Sequence, residues 1–148
     1  MKRLRIYIEN SVIGGYYDKE FEEATNILFD KFRSGEYRAV ISTHTYGELN
    51  NGAPDNVKLN LETISYEKID ITDEMLYLTK KYMEEQIVSE QYRSDALHIA
   101  IATISGVDVL VSWNFKHIVN LNRIKLFNSV NLKEGYNILE IRTPSEVV

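Results

Sequence analysis

Apolar positions along this chain switch repeatedly between two spacings, one that suits strands and one that suits helices. Leu4 to Ile8 alternates and is rich in β-prone residues, and Ala39 to Ser42 is a short run of the same kind. Glu67 to Ile71 forms a third, Val107 to Ser112 is the clearest, and Tyr136 to Ile141 gives a last strand before Thr143-Pro144. Between them the spacing becomes helical. It predicts helices over Phe21 to Ser34, ending near Gly35, over Thr45 to Asn50, ending near Gly52, and over Asp73 to Gln86, opened by Thr72. Asp95 to Ser105, closed by Gly106, and Ile118 to Lys133, stopped by Glu134-Gly135, complete the set. Asn56 to Ser65 fits neither period cleanly and is assigned as a helix leading into the third strand. The β-α alternation predicts an α/β fold, because parallel strands need crossovers and right-handed crossovers place helices on the sheet. The expected architecture is three-layer α/β/α around a mostly parallel central sheet.

Length and composition narrow this picture. A chain of 148 residues, 44% hydrophobic and without a linker or repeat, suits one domain over residues 1–148. No apolar run approaches the roughly 20 residues needed to span a bilayer, and no signal-peptide segment precedes the first strand, so a cytoplasmic protein without membrane association is expected. The chain has no cysteine, which excludes disulfides, thiolate metal sites and a cysteine nucleophile. Any metal must be held by oxygen or histidine. A net charge of −5 argues against a uniformly basic nucleic-acid binder, and the small basic groups, such as Arg3/Arg5 and Lys116/His117/Arg123/Lys125, suit a solvated face.

Candidate chemistry gathers at strand ends. Glu9 follows the first strand, Glu48 lies in the helix after the second, Asp95 opens the long apolar helix, and Asn114 stands two residues beyond Ser112. In an open α/β sheet the carboxyl ends of the strands share one rim, so residues distant in sequence can converge there. Three acids and an amide make a hard-oxygen set suited to Mg²⁺ or Mn²⁺, ions that can activate water against a phosphodiester. Each residue also has a plain structural explanation. Thr45-Tyr46-Gly47-Glu48 matches a capping box. Asp95 suits the positive end of a helix, and Glu9-Asn10-Ser11 suits a polar turn with an N-cap. Asn114 can be a turn residue, and Trp113 a packing aromatic. His98 lies one turn from Asp95 and is expected to be a hydrogen-bonded, half-buried histidine; His44 and His117 show no metal-binding spacing. Gly14-Gly15 matches neither of the glycine-rich phosphate-binding patterns.

The residues Tyr7-Ile8-Glu9-Asn10-Ser11-Val12-Ile13, Glu48, Ser94-Asp95-Ala96-Leu97-His98-Ile99-Ala100 and Leu110-Val111-Ser112-Trp113-Asn114-Phe115 resemble, nearly end to end, the PIN-domain family and especially the VapC-type toxins of toxin–antitoxin pairs. Asp-Ala-Leu-His-Ile-Ala is the most specific piece. The resemblance implies a Mg²⁺- or Mn²⁺-dependent endoribonuclease, often a homodimer, with an RNA substrate and a cognate antitoxin whose tail blocks the site. It implies Glu9, Asp95, Glu48 and Asn114 as metal-binding and catalytic residues, with Ser11, Asn10 and His98 in support. Two departures stand out: Glu9 and Asn114 occupy positions where the family usually has aspartate, a pattern shared by a subgroup. These substitutions motivate the alternative of a catalytically weak or inactive module that binds RNA or an antitoxin. A phosphoryl-accepting signalling domain, which shares the alternation, fails because Ser42 and Ser112 end the strands where an acceptor aspartate would be needed.

Overall fold

A computed structural model describes residues 2–148; Met1 of the expected 1–148 domain lies outside them. Five strands form one sheet: β1 (Leu4–Ile8), β2 (Tyr37–Ser42), β3 (Tyr66–Ile69), β4 (Val109–Val111) and β5 (Ile141–Arg142). Their order is β3-β2-β1-β4-β5, and every pairing is parallel. Helices α1 (Asn10–Gly15), α2 (Glu22–Ser34), α3 (Thr43–Asn50), α4 (Asp55–Glu62), α5 (Asp73–Glu84), α6 (Arg93–Ser105), α7 (Leu121–Lys133) and α8 (Pro144–Val147) cover it, with a 3₁₀ turn at Glu90–Tyr92. The three-layer α/β/α architecture expected from the alternation is the one formed.

Strand periodicity of two divides the core between the faces. Ile6, Ile8, Ala39, Ile41, Val109 and Val111 point to the side covered by α1, α2 and α4. Tyr7, Val40 and Leu110 point to the side covered by α5, α6 and α7. Helix α6 is apolar almost all round and correspondingly sunk: Ala96, Ile99, Ala100, Ile101 and Ala102 are fully buried. It stops at Gly106, whose φ of +67° closes the helix in a left-handed turn that other residues enter with difficulty.

Several expected boundaries change. The segment after β1 is a helix rather than a polar turn: Glu9 caps α1, and burial of Val12 and Ile13 holds a short element whose Gly14-Gly15 end weakens its helical signal. The last strand is not Tyr136 to Ile141 but only Ile141–Arg142. Asn128 of α7 explains this, accepting from Leu139 N–H at 2.7 Å and donating to Leu139 C=O at 3.1 Å, so that backbone is tied to a helix instead of the ladder. β3 ends at Ile69 rather than Ile71 because its partner β2 ends at Ser42, the residue opposite. The helix α7 begins at Leu121, capped by Asn120, leaving Ile118 as a buried loop residue.

Candidate active site

Strand order reverses between β1 and β4: β2 and β3 lie on one side of β1, β4 and β5 on the other. The crevice above such a reversal is where open α/β sheets bind ligands. Glu9 leaves β1 at this point and Ser112-Trp113-Asn114 leaves β4 beside it. Helices α3 and α6 bring Glu48 and Asp95 to the same rim from either side.

Glu9 is 5% exposed and caps α1, its Oε2 accepting from Ser11 N–H at 3.1 Å and its Oε1 from Ser11 Oγ–H. Ser11 Oγ in turn accepts from Trp113 N–H at 2.9 Å, tying the β1 and β4 loops together. Burial pushes the Glu9 carboxyl up, against the opposing effects of His98 and Ser11. Asn10 donates to the Thr45 carbonyl at 3.3 Å, while its Oδ1 is buried with no protein partner.

Glu48 does not close a capping box. Ser42 caps α3, accepting from Thr45 N–H at 3.1 Å, and Glu48 sits too far along the helix to reach back. Its carboxylate instead accepts from His98 Nε2 at 2.7 Å and Ser94 Oγ at 2.9 Å. Burial pushes Glu48 up, but His98, His44 and Ser94 outweigh it and hold the carboxyl below its ordinary value. His98 is 1% exposed, more deeply set than expected, and its Nδ1 lies 2.7 Å from the Tyr7 hydroxyl. A carboxylate only accepts, so Nε2 carries the proton facing Glu48; Tyr7, whose phenol burial pushes far up, then donates to Nδ1. Ser42 Oγ, at 2.8 Å from the phenol, completes the chain.

Asp95 lies in the first turn of α6, which opens two residues earlier than expected, at Arg93. Its Oδ2 is 3.1 Å from His117 Nδ1. Burial pushes Asp95 up, while His117, His98 and a hydrogen bond from the Asn114 side chain pull the other way and Glu48 adds to the rise. Asn114 also accepts His117 N–H at 3.0 Å through Oδ1, so the amide braces the loop and faces Asp95 at once. Trp113 is a packing residue: it stacks on Phe21 with centroids 4.3 Å apart and donates Nε1–H to Thr25 at 2.9 Å.

The structure therefore joins Glu48 to His98, Asp95 to His117, and Glu9 to Ser11, and couples the three acids electrostatically through His98. It brings in His44 and His117, for which no metal-binding spacing was expected, His44 Nε2 lying 2.8 Å from Ser94 Oγ and His117 Nδ1 3.1 Å from Asp95, together with Ser94 and Tyr7, which the motifs contain without assigning a role. Because α3 begins at Thr43 rather than Thr45, His44 and Glu48 stand four apart on one helix, a pairing the expected helix bounds excluded; the approach of His117 to Asp95 had no local signal.

These residues fit Mg²⁺ or Mn²⁺. The fit is one of donor chemistry: the acids offer carboxylate oxygen and, among the described residues, no lysine or arginine pairs with Glu9 or Asp95, although His117 lies 3.1 Å from Asp95 and the three ligating side chains that converge within 4.8 Å are His44, Glu48 and His98.

No protein-family model matches the sequence, and no curated protein matches it. Among solved structures, it is similar to VapBC2 from Rickettsia felis, crystallised on a DNA fragment from its promoter, with 14% identity and a TM-score of 0.58 over 95% of this chain and 98% of the other. It is also similar to VapC20 from Mycobacterium tuberculosis, a toxin that cleaves the Sarcin-Ricin loop, with 14% identity and a TM-score of 0.52 over 76% and 92% of the two chains. At this identity the likeness shows the fold: the chain has the VapC-type PIN fold expected from its motifs.

Proposed function

We propose that this protein is a divalent-metal-dependent endoribonuclease of toxin type, which hydrolyses RNA phosphodiesters and is restrained by a cognate antitoxin. The observation that carries the reading is the placement of Glu9, Glu48 and Asp95 around the β1–β4 reversal, with Glu9 buried and, among the described residues, neither Glu9 nor Asp95 paired with a lysine or arginine. Glu9 and Asp95 hold the ion, Glu48 contributes directly or through water, and Asn114 orients a water or a phosphate oxygen. A bound Mg²⁺ or Mn²⁺ would supply polarisation of the phosphate and charge neutralisation. Around it the chain fixes its own groups: Ser11 orients Glu9, His98 and Ser94 orient Glu48, and His117, itself braced by Asn114, holds Asp95. No serine or cysteine nucleophile is required.

Similarity of fold to VapBC2 and VapC20 supports the toxin assignment and an antitoxin partner. A homodimer acting in the cytoplasm belongs to the same reading. Among the described residues no helix is long and apolar enough to cross a membrane. The test is cleavage of mixed single-stranded RNA by the purified protein with Mn²⁺, Mg²⁺ or EDTA, beside Asp95→Asn prepared identically. Metal-dependent cutting lost in the variant is expected. No cutting with either metal, together with no metal binding by calorimetry, would replace this reading with the non-catalytic module.

A further inference from the structure

Beside the oxygen donors just described lies a cluster of different chemistry. His44 and Glu48 are one turn apart on α3, and His98 faces them from α6. Glu48 Oε1 is 2.7 Å from His98 Nε2 and 3.6 Å from His44 Nε2. One ligand atom from each of the three residues lies within 4.8 Å of the other two, and the imidazole centroids are 4.5 Å apart.

We propose that His44, Glu48 and His98 form a two-histidine, one-carboxylate site for a first-row transition ion of the Co²⁺, Ni²⁺ or Zn²⁺ class, selective against Mg²⁺. Imidazole nitrogen suits these ions, whereas Mg²⁺ prefers carboxylate and water. Around an ion bound at about 2.0–2.1 Å, tetrahedral ligand atoms stand about 3.3 Å apart, so the shorter separation opens by about 0.6 Å and the longer closes by about 0.3 Å.

At His98 the surrounding hydrogen bonds provide what a ligating imidazole requires, a partner for the other ring nitrogen, while His44 Nε2 exchanges its 2.8 Å bond to Ser94 Oγ for the ion. At His98 the proton moves from Nε2 to Nδ1 and is donated to the Tyr7 hydroxyl, which then donates to Ser42 Oγ; nothing is left unpaired. Ser94 Oγ holds Glu48 Oε2 at 2.9 Å, orienting the carboxylate while Oε1 faces the imidazoles. The cluster opens on one side: the side chains of Glu48 and His44 are 37% and 18% exposed and that of His98 2%, leaving room for solvent or an added ligand at the ion. Glu48 is shared with the proposed ribonuclease centre as a ligand and His98 as the residue that orients it, and the inference does not require cleavage.

The test is a Co²⁺ titration of the full chain followed by visible absorption. The expected result is one equivalent bound with the intense bands of four- or five-coordinate cobalt, displaced by Zn²⁺ but not by excess Mg²⁺. His44→Gln, at a partly exposed position, should fold and bind Co²⁺ at least about tenfold more weakly, the loss expected when a ligand is removed. Asp95→Asn should keep the spectrum. A weak octahedral spectrum unchanged in His44→Gln, or displacement by Mg²⁺ from the wild-type protein, would overturn the proposal, and the wild-type competition decides whatever a variant does to folding. RNA cleavage assayed on the same preparation separates the two readings. Cleavage without the imidazole-type spectrum removes the transition-metal site alone, and the spectrum without cleavage under any metal removes the ribonuclease alone.

Discussion

The phenol of Tyr7 and the imidazole of His98, 91 residues apart in the chain, meet in a 2.7 Å hydrogen bond beneath the candidate site. Tyr7 stands between Ile6 and Ile8 in β1, so strand alternation sends it to the opposite face, the one that α6 covers. Its hydroxyl also meets Ser42 at 2.8 Å and Thr45 at 3.3 Å. Tyr7→Phe leaves these buried groups short of a partner and is expected to cost about 1–3 kcal/mol. Thermal melting should show the loss, and RNA cleavage should fall because His98 no longer holds Glu48 in one position. An unchanged Tm would mean the hydroxyl network adds nothing to the fold.

Asp95→Asn should separate stability from activity. Burial raises this carboxyl, so its charged form is disfavoured in the folded state at neutral pH, and a neutral amide relieves that. Cleavage should drop by about two orders of magnitude or more, while Tm rises by about 2–4 °C for each 1 kcal/mol relieved. Added Mg²⁺ or Mn²⁺ should raise the Tm of the wild-type protein, reversibly with EDTA, and have little effect on the variant.

The effect of Glu9→Gln should depend on pH with a definite sign. The folded-state pKa of Glu9 lies above its unfolded value of 4.5, so below that pH both states are protonated and the residue carries no penalty. As pH rises through the raised pKa the wild-type protein loses stability. The Tm advantage of the glutamine variant should therefore be small near pH 4, grow through the mildly acidic range and then level. A difference that shrinks with rising pH would contradict the burial argument.

Asn114→Asp should tighten Mg²⁺ binding measured by calorimetry, because a fourth negative charge then faces the cation. Without metal the same change sets a second carboxylate against Asp95, and a lower Tm in EDTA is expected. Equal Mg²⁺ affinity in the two proteins would count against Asn114 lying at the metal site.

Gly15→Ala tests the close approach of α1 to the β4 loop. A Cβ there would stand 2.9 Å from Trp113 Cδ1 and Nε1 and 3.1 Å from Thr25 Oγ1, in a packed region where the indole is held by stacking and a hydrogen bond. A loss of about 1–3 kcal/mol is expected from overpacking. Displacement of Trp113 should also disturb its N–H bond to Ser11 and lower cleavage.

Much of this protein was already legible along the chain. Alternation in Leu4 to Ile8, the β-branched run before Ser112 and the helical spacing between them determined a parallel α/β sheet, since these patterns express local backbone preferences and the burial of one or both faces. The same patterns located Glu9, Glu48, Asp95 and Asn114 at element ends. Tertiary structure decided what each of them touches. Glu48, matching a capping box in sequence, turned to His98 because the α3 cap is Ser42 and α6 packs alongside. His117, in a loop without periodic signal, reached Asp95 only once that loop folded over α6. The last strand was cut to Ile141–Arg142 by Asn128 on a neighbouring helix. Such contacts join residues 11 to 50 positions apart, so no local spacing encodes them; they arise when the two faces of the sheet are covered and each buried polar group must find the partner that packing leaves within reach.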